Sequence, residues 1–272
     1  MMPYRSLPIR KGLLLCLLLL MRAPWAHSAE LDCLIEPYVI VKVSSAVPGL
    51  LETVTVDRGD IVKKGQPLAT LESSAEKAAM DVLRARATME SAIKTGQARL
   101  ELSTRSLSRN EGMFQKALIA AEKMDEIETT RRLAELTLLA ATDNRRLAEL
   151  ELRRATAELT RRTITSPING VVVERLLAPG EFARDEQPVL KMVQLDPLRV
   201  EVFAPVALLG NISVGQPAEV VLQAPVNGTY TARVTVVDRV VDAASGLFGV
   251  RLELPNRDYR VPAGLKCKIH LP

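Results

Sequence analysis

Gly49, Gly59, Gln66 and Pro67 recur as Gly170, Gly180, Gln187 and Pro188, each pair offset by 121 positions. Two short β-rich segments therefore look like copies of one motif, with a long helical stretch between them. A pair of half-repeats can close on each other only if the chain leaving the first returns to begin the second. The intervening helices must run out and back.

Residues 39–72 and 164–195 are short β-type runs punctuated by Gly and Pro, with a strand at 54–56 and turns at 57–60 and 64–65. Alone, neither half buries much apolar area, but two related halves facing each other make a small sandwich with a shared core. In the stretch between them, 73–163, Ser73 with Glu76 three residues later is a capping-box signal that opens a helix. The first arm then repeats apolar residues every seven, at Ala79, Ile93, Leu100, Leu107 and Phe114, with Arg86 interrupting. The pattern loosens from Gly112 to Ala120. The second arm places Ile127, Ala134, Ala141, Ala148 and Ala155 at one heptad position, and Leu138, Leu152 and Leu159 at the other, where Arg145 interrupts. That period predicts an antiparallel coiled-coil hairpin with arms of roughly 40 residues, each ~60 Å long. Arg161 and Arg162 suit a helix C-terminus, and Pro167 stops the continuation.

Leu133, Leu136, Ala140, Leu147 and Leu150 form a second apolar set on a neighbouring face of the same arm. Either they broaden the one seam, or the face around Leu133 and Leu147 packs on the next copy in a ring of hairpins. From Asp196 the pattern is β again to the end, with turns at Gly215 to Pro217 and at Pro262 to Gly264, which suggests a small barrel over 196–272. Residues 29–38 would add an N-terminal strand to that barrel.

The first 28 residues carry Arg5, Arg10 and Lys11, an apolar run at 13–21, then Arg22, with Ala26 and Ser28 at small-residue cleavage positions. A cleaved signal peptide is expected, ending at Ser28. An apolar run of that length spans only about 14 Å as a helix, against a hydrocarbon core of ~30 Å, so an uncleaved anchor is the weaker alternative. The leader's four basic residues account for the whole formal charge of +4, since 36 − 4 leaves 32 basic against 32 acidic residues. A neutral mature chain with only 3% aromatic residues has neither the charge nor the stacking surface for nucleic acid. Cys33 and Cys267 survive processing in a compartment that permits disulfides. They either pair or remain two buried thiols, because sequence does not supply the Cα separation.

Catalytic chemistry lacks its parts. His27 leaves with the leader and His270 sits near the C-terminus, so one chain offers no His-based triad and no two-His metal site. No CxxC pair and no Gly-rich phosphate loop ahead of a helix is present. No enzyme activity, no cofactor and no metal site is expected. The half-repeats are similar to lipoyl and biotinyl carrier domains, in which a hairpin lysine carries the cofactor. Lys77 falls near that place but lies in the first turn of a long helix, so a swinging-arm carrier is disfavoured.

With half-repeats, inserted hairpin and barrel in this order, the chain resembles the periplasmic adaptor (membrane fusion protein, HlyD-like) family of tripartite efflux pumps. Residues 59–68 look like the family's first lipoyl half, 166–173 like its second, and 214–217 with 262–264 like its barrel turns. The resemblance implies an α+β, elongated fold: a lipoyl-like β sandwich split by a long antiparallel α-helical coiled-coil hairpin, followed by a small β-barrel. It implies a homo-oligomeric ring in the periplasm, seated on an inner-membrane transporter, RND type in preference to ABC, and meeting a TolC-like outer-membrane channel. In many members the tip carries Arg, then Leu four later, then Ser seven further on. Those places here hold Arg109, Met113 and Ala120, so only the Arg is kept. The end at Pro272 implies a short form lacking the membrane-proximal domain. The competing function is a structural coiled-coil envelope protein without a transport partner.

Overall fold

The structure is a computed structural model that describes residues 29–271, so the leader expected at 1–28 lies outside the described residues. The chain forms two compact units, one of Val39–Gln194 and one combining the segment up to Tyr38 with the chain from Leu195 onward.

In the first unit the 121-residue offset becomes three-dimensional symmetry. The first half supplies β2 (Gly49–Val54), β3 (Ile61–Val62) and β4 (Pro67–Leu71). The second supplies β6 (Gly170–Arg175), β7 (Phe182–Ala183) and the start of β8 (Pro188–Pro205), while β5 (Thr163–Thr165) edges β4. Each half lends a strand to the other: Gly49 and Leu50 pair with Ala183 and Phe182, and Val62 and Ile61 pair with Gly170 and Val171. Adding 121 to one set and subtracting it from the other interchanges the two pairings. The backbone bonds obey the same rule. Gly59 N donates to Val172 O and Gly180 N to Leu51 O, both at 2.8 Å, and both glycines have positive φ, 97° and 88°. Such a φ is open to glycine and costly for most other residues, which is why the repeat keeps Gly at these two turns. Even the turn side chains correspond: Asp60 Oδ2 accepts from Asp57 N, and Glu181 Oε2 from Ala178 N. The shared core is Leu51, Val62, Leu68, Leu71, Val172, Leu190 and Met192, drawn from both halves.

Out of this sandwich runs a helical hairpin. Its first arm is two helices, α1 (Ser74–Thr88) and α2 (Ser91–Phe114); its second is the single 40-residue α3 (Ala121–Thr160). Two expectations need correction here. The capping box does not form: Ser73 makes no side-chain cap bond, and Glu76 is drawn instead to Arg162. The first-arm seam is also displaced. Ala79 and Arg86 are exposed, while Met80 and Leu83 are half-buried and Ala87 is buried against α3. Beyond residue 90 the seam is as expected at Ile93, Leu100 and Leu107, with Gly96 and Ser103 buried between them, but Phe114 is exposed. One unbroken heptad register does not run through the junction, because the chain slips by one residue there. From Ala87 the 3-and-4 alternation calls for 94, and the seam residue is Ile93.

The second unit contains β1 (Ala29–Ser44) up to Tyr38, the later part of β8, β9 (Pro217–Leu222), β10 (Gly228–Asp242), β11 (Leu247–Leu254) and β12 (Lys266–Leu271). The order is β1-β12-β9-β10-β11-β8, and β1 also pairs with β8, which returns the order to its start. Strict alternation of buried and half-exposed residues along β11 turns Phe248, Val250, Leu252 and Leu254 inward. They meet Val200, Val202, Val220 and Ile269 in one core.

Candidate functional site

The hairpin's far end is built by a short loop. After Phe114, Ala117 N donates to Phe114 O and Leu118 N to Met113 O, and Ala117 takes a positive φ of 56° to reverse the chain. Arg109 and Met113 lie four residues apart on one face of α2. Both are exposed. Ala120 is the N-cap of α3, in extended backbone, with no side chain able to accept from the free N–H groups of the first turn. A serine at that place would accept such a bond, which is a physical reason for a hydroxyl there in other chains. The structure therefore gathers Arg109, Met113 and Ala120 at one end of the hairpin. It adds Phe114 and Leu118, 41% and 67% exposed. Sequence reasoning had placed Phe114 in the seam and passed over Leu118; the loss of heptad pattern after Gly112 was the signal that apolar residues there no longer face α3.

Along α3 the predicted seam is complete. Ile127, Ala134, Leu138, Ala141, Ala148, Leu152, Ala155 and Leu159 are all half-buried or buried, and Met124 extends the series. The second set is separate from it: Leu133 is 59% and Leu147 58% exposed, and Leu136, Leu139 and Leu150 are exposed with them. Beside the seam that the first arm covers, α3 thus carries a set of leucines that a single chain leaves largely exposed.

At the base, the two arginines after α3 tie the hairpin to the sandwich. Arg161 Nη2 donates to Ala46 O at 2.8 Å, and Arg162 reaches Pro48 O through Nη1 and Glu76 through Nη2. Next to them, Glu72 accepts from Ser74, whose hydroxyl and backbone N–H hold its carboxyl below the ordinary range.

Within the barrel unit, Cys33 and Cys267 are direct cross-strand partners on β1 and β12. Their Cα atoms are 4.9 Å apart and their sulfurs lie at bonding distance, 2.12 Å. Outside the same strand pair, Lys268 is held above the ordinary lysine range, first by its hydrogen bond to Asp32, then by the charges of Asp32 and Glu30. Among the described residues no cluster of three or more His, Cys, Asp or Glu could hold a metal ion, and no helix is long and apolar enough to cross a membrane.

Family models match the chain in two places: the CzcB-like, barrel-sandwich hybrid domain over residues 39–194, and the CusB-like, beta-barrel domain over residues 198–272. An uncharacterized protein of Haemophilus influenzae is 22% identical over 91% of this chain and 59% of its own length. The cobalt-zinc-cadmium resistance protein CzcB of Cupriavidus metallidurans is 22% identical over 84% of this chain and 45% of its own length. The chain thus spans about half the length of these curated relatives. Among solved structures, MacA from Actinobacillus actinomycetemcomitans shares the fold, with a TM-score of 0.73 over 90% of this chain and 78% of that one at 19% identity. Swapped half-repeats, an inserted helical hairpin and a closing barrel agree with these matches, and the chain belongs to the membrane fusion, or periplasmic adaptor, family of efflux systems, whose members are non-enzymatic.

Proposed function

We propose that this chain is the periplasmic adaptor subunit of a tripartite efflux or secretion system, joining an inner-membrane transporter to a TolC-like outer-membrane channel. The observation that carries the reading is the hairpin end, where Arg109, Met113, Phe114 and Leu118 are presented to solvent on a rod rooted in the sandwich by Arg161 and Arg162. Exposed apolar side chains at the tip of a rod gain stability only when a partner covers them. An RND-type motor is the preferred transporter, supported by the RND label of the matching barrel family. Several copies form a ring in which the face bearing Leu133 and Leu147 meets its neighbour.

Replacing Arg109 and Met113 together with Asp is expected to abolish export while leaving the melting temperature within about 2 °C, because neither side chain is buried. Export at the normal rate by that variant would remove the tip from the channel contact. Cross-linking followed by co-purification identifies the transporter and the channel directly. The exported protein is further expected to carry a Cys33–Cys267 bond, which closes β1 onto the last strand of its barrel. Mass spectrometry under non-reducing conditions reads it, and two free thiols would overturn it.

A further inference from the structure

The first arm of the hairpin is broken where its partner is not. On α3 the buried and half-buried seam positions alternate by 3 and 4 without interruption from Met124 through Ile127, Arg131, Ala134, Leu138, Ala141, Arg145, Ala148, Leu152 and Ala155 to Leu159. On the first arm the alternation runs Glu76, Met80, Leu83, Ala87, then restarts at Ile93, Gly96, Leu100, Ser103, Leu107 and Asn110, one residue too early. A continuous helix has no means of absorbing one missing residue: its apolar edge would turn by about 100° away from α3. The chain resolves the conflict by leaving the helix. Met89 is extended at φ −67° and ψ 124°, its N–H reaches back only to Arg86 O, and its side chain is 64% exposed.

The two arginines that interrupted the heptads in the sequence meet at this junction. Arg86 pairs with Glu151 at 3.5 Å, and Arg145 with Glu90 at 3.7 Å and Glu149 at 3.2 Å, so both arms are bridged by charge where apolar contact lapses. Glu90 is held below the ordinary carboxyl range by its hydrogen bond to Lys94 and by the charges of Lys94 and Arg145. A groove opens on this side of the hairpin, lined by Met89, Ile93, Ala141, Asn144 and Leu147.

We propose that Met89–Glu90 is a bending point built into the hairpin, with α3 as the continuous leaf and the Arg86–Glu151 and Glu90–Arg145 pairs as its latch. α1 with the C-terminal part of α3 is one rigid piece, and α2 with the N-terminal part is the other. Smooth curvature of radius ~60–100 Å, ordinary for long helices, lets α3 follow without losing hydrogen bonds. α2 is 24 residues long, about 36 Å, so a bend of about 10° at the junction carries the tip about 6 Å sideways. The hinge is a property of one chain and holds whether or not the tip meets a channel.

The test restores the missing residue. One alanine inserted after Thr88 moves Met89 onto the vacant seam position three residues past Ala87 and puts Ile93 back in phase. Spin labels carried on p-acetylphenylalanine at positions 78 and 98 leave both cysteines untouched. The insertion variant is expected to give a distance distribution about half as wide as the native chain's, with higher helicity by circular dichroism. Equal widths would overturn the hinge. A second measurement does not depend on the insertion folding: replacing Arg86 and Arg145 with Ala is expected to speed amide exchange at 86–92 about three- to fivefold and leave 127–141 unchanged. Unchanged exchange at 86–92 would remove the latch.

Discussion

The sandwich and the hairpin are parts of one unit, and they are held together at very different depths. In the sandwich Leu68, Ala69, Leu71, Leu190 and Met192 are completely enclosed in one core drawn from both halves. Along the hairpin only Ala87, Gly96, Ser103, Met124 and Ala148 are buried, and these are small residues apart from Met124. A two-helix rod has no interior, so its stability comes from a shallow contact repeated at every turn. The sandwich concentrates its stability in a few sites; the hairpin distributes it. Substitutions at close contacts should therefore be catastrophic in one and graded in the other.

Gly170 gives the greatest loss. A Cβ there would sit 2.2 Å from Val193 O and 3.0 Å from its carbonyl carbon, both backbone atoms of the strand it pairs with. Neither can move without parting β6 from β8. Gly170→Val is expected to cost more than about 4 kcal/mol, the range reserved for core disruption. Thermal unfolding and soluble yield read this; a variant that melts within a few degrees of the native chain would show that the sandwich yields as the hairpin does.

Gly96 is the matching position in the hairpin. Its Cβ would approach Leu138 Cα at 3.1 Å and Leu138 Cβ at 3.3 Å. Here two helices can separate by a few tenths of an ångström locally, and leaving glycine returns about 1 kcal/mol of helix propensity. Gly96→Leu is expected to cost a net ~1–2 kcal/mol from overpacking. Hydrogen exchange should show faster opening confined to α2 and the facing part of α3, with the barrel unaffected. Opening that spreads into the sandwich would mean the hairpin is not an independently graded element.

The same contrast explains what could be read in advance. The half-repeat was legible because Gly59 and Gly180 each mark a positive-φ turn that other residues rarely enter, and the offset between them needed no knowledge of contacts. The α3 seam was legible because an unbroken helix keeps its phase. The first arm was misread at Ala79 and Arg86, ahead of the junction, because periodicity locates a stripe only relative to a fixed origin, and one extended residue at Met89 resets that origin. Glu76 was misread for a different reason: a capping box is a local option, and Arg162, 86 residues away in sequence, offered the carboxylate a full charge. At the tip, Phe114 carried an apolar side chain at a heptad position, but the helices had already begun to part. Exposure there depends on where the partner ends, which a single arm's pattern does not encode.

The smallest effect concerns the leftover leucines. Leu133 and Leu147 are apolar and helical, as Leu138 and Leu152 are, yet they lie beside the seam and stay exposed. Removing a buried leucine costs ~2–5 kcal/mol, whereas a substitution on an exposed helix face moves stability by within about 0.5 kcal/mol. Leu133→Ser with Leu147→Ser is therefore expected to leave the melting curve of the isolated chain almost where it was. If this stripe is the contact between copies in a ring, the pair should instead show its effect in sedimentation, as weaker self-association at equal stability. Loss of stability with no change in association would return the stripe to the hairpin's own seam. A change in neither would leave a ring without this contact, and the excess leucines would then have to face another partner. The three outcomes separate because self-association and the melting of a single chain are read by independent measurements.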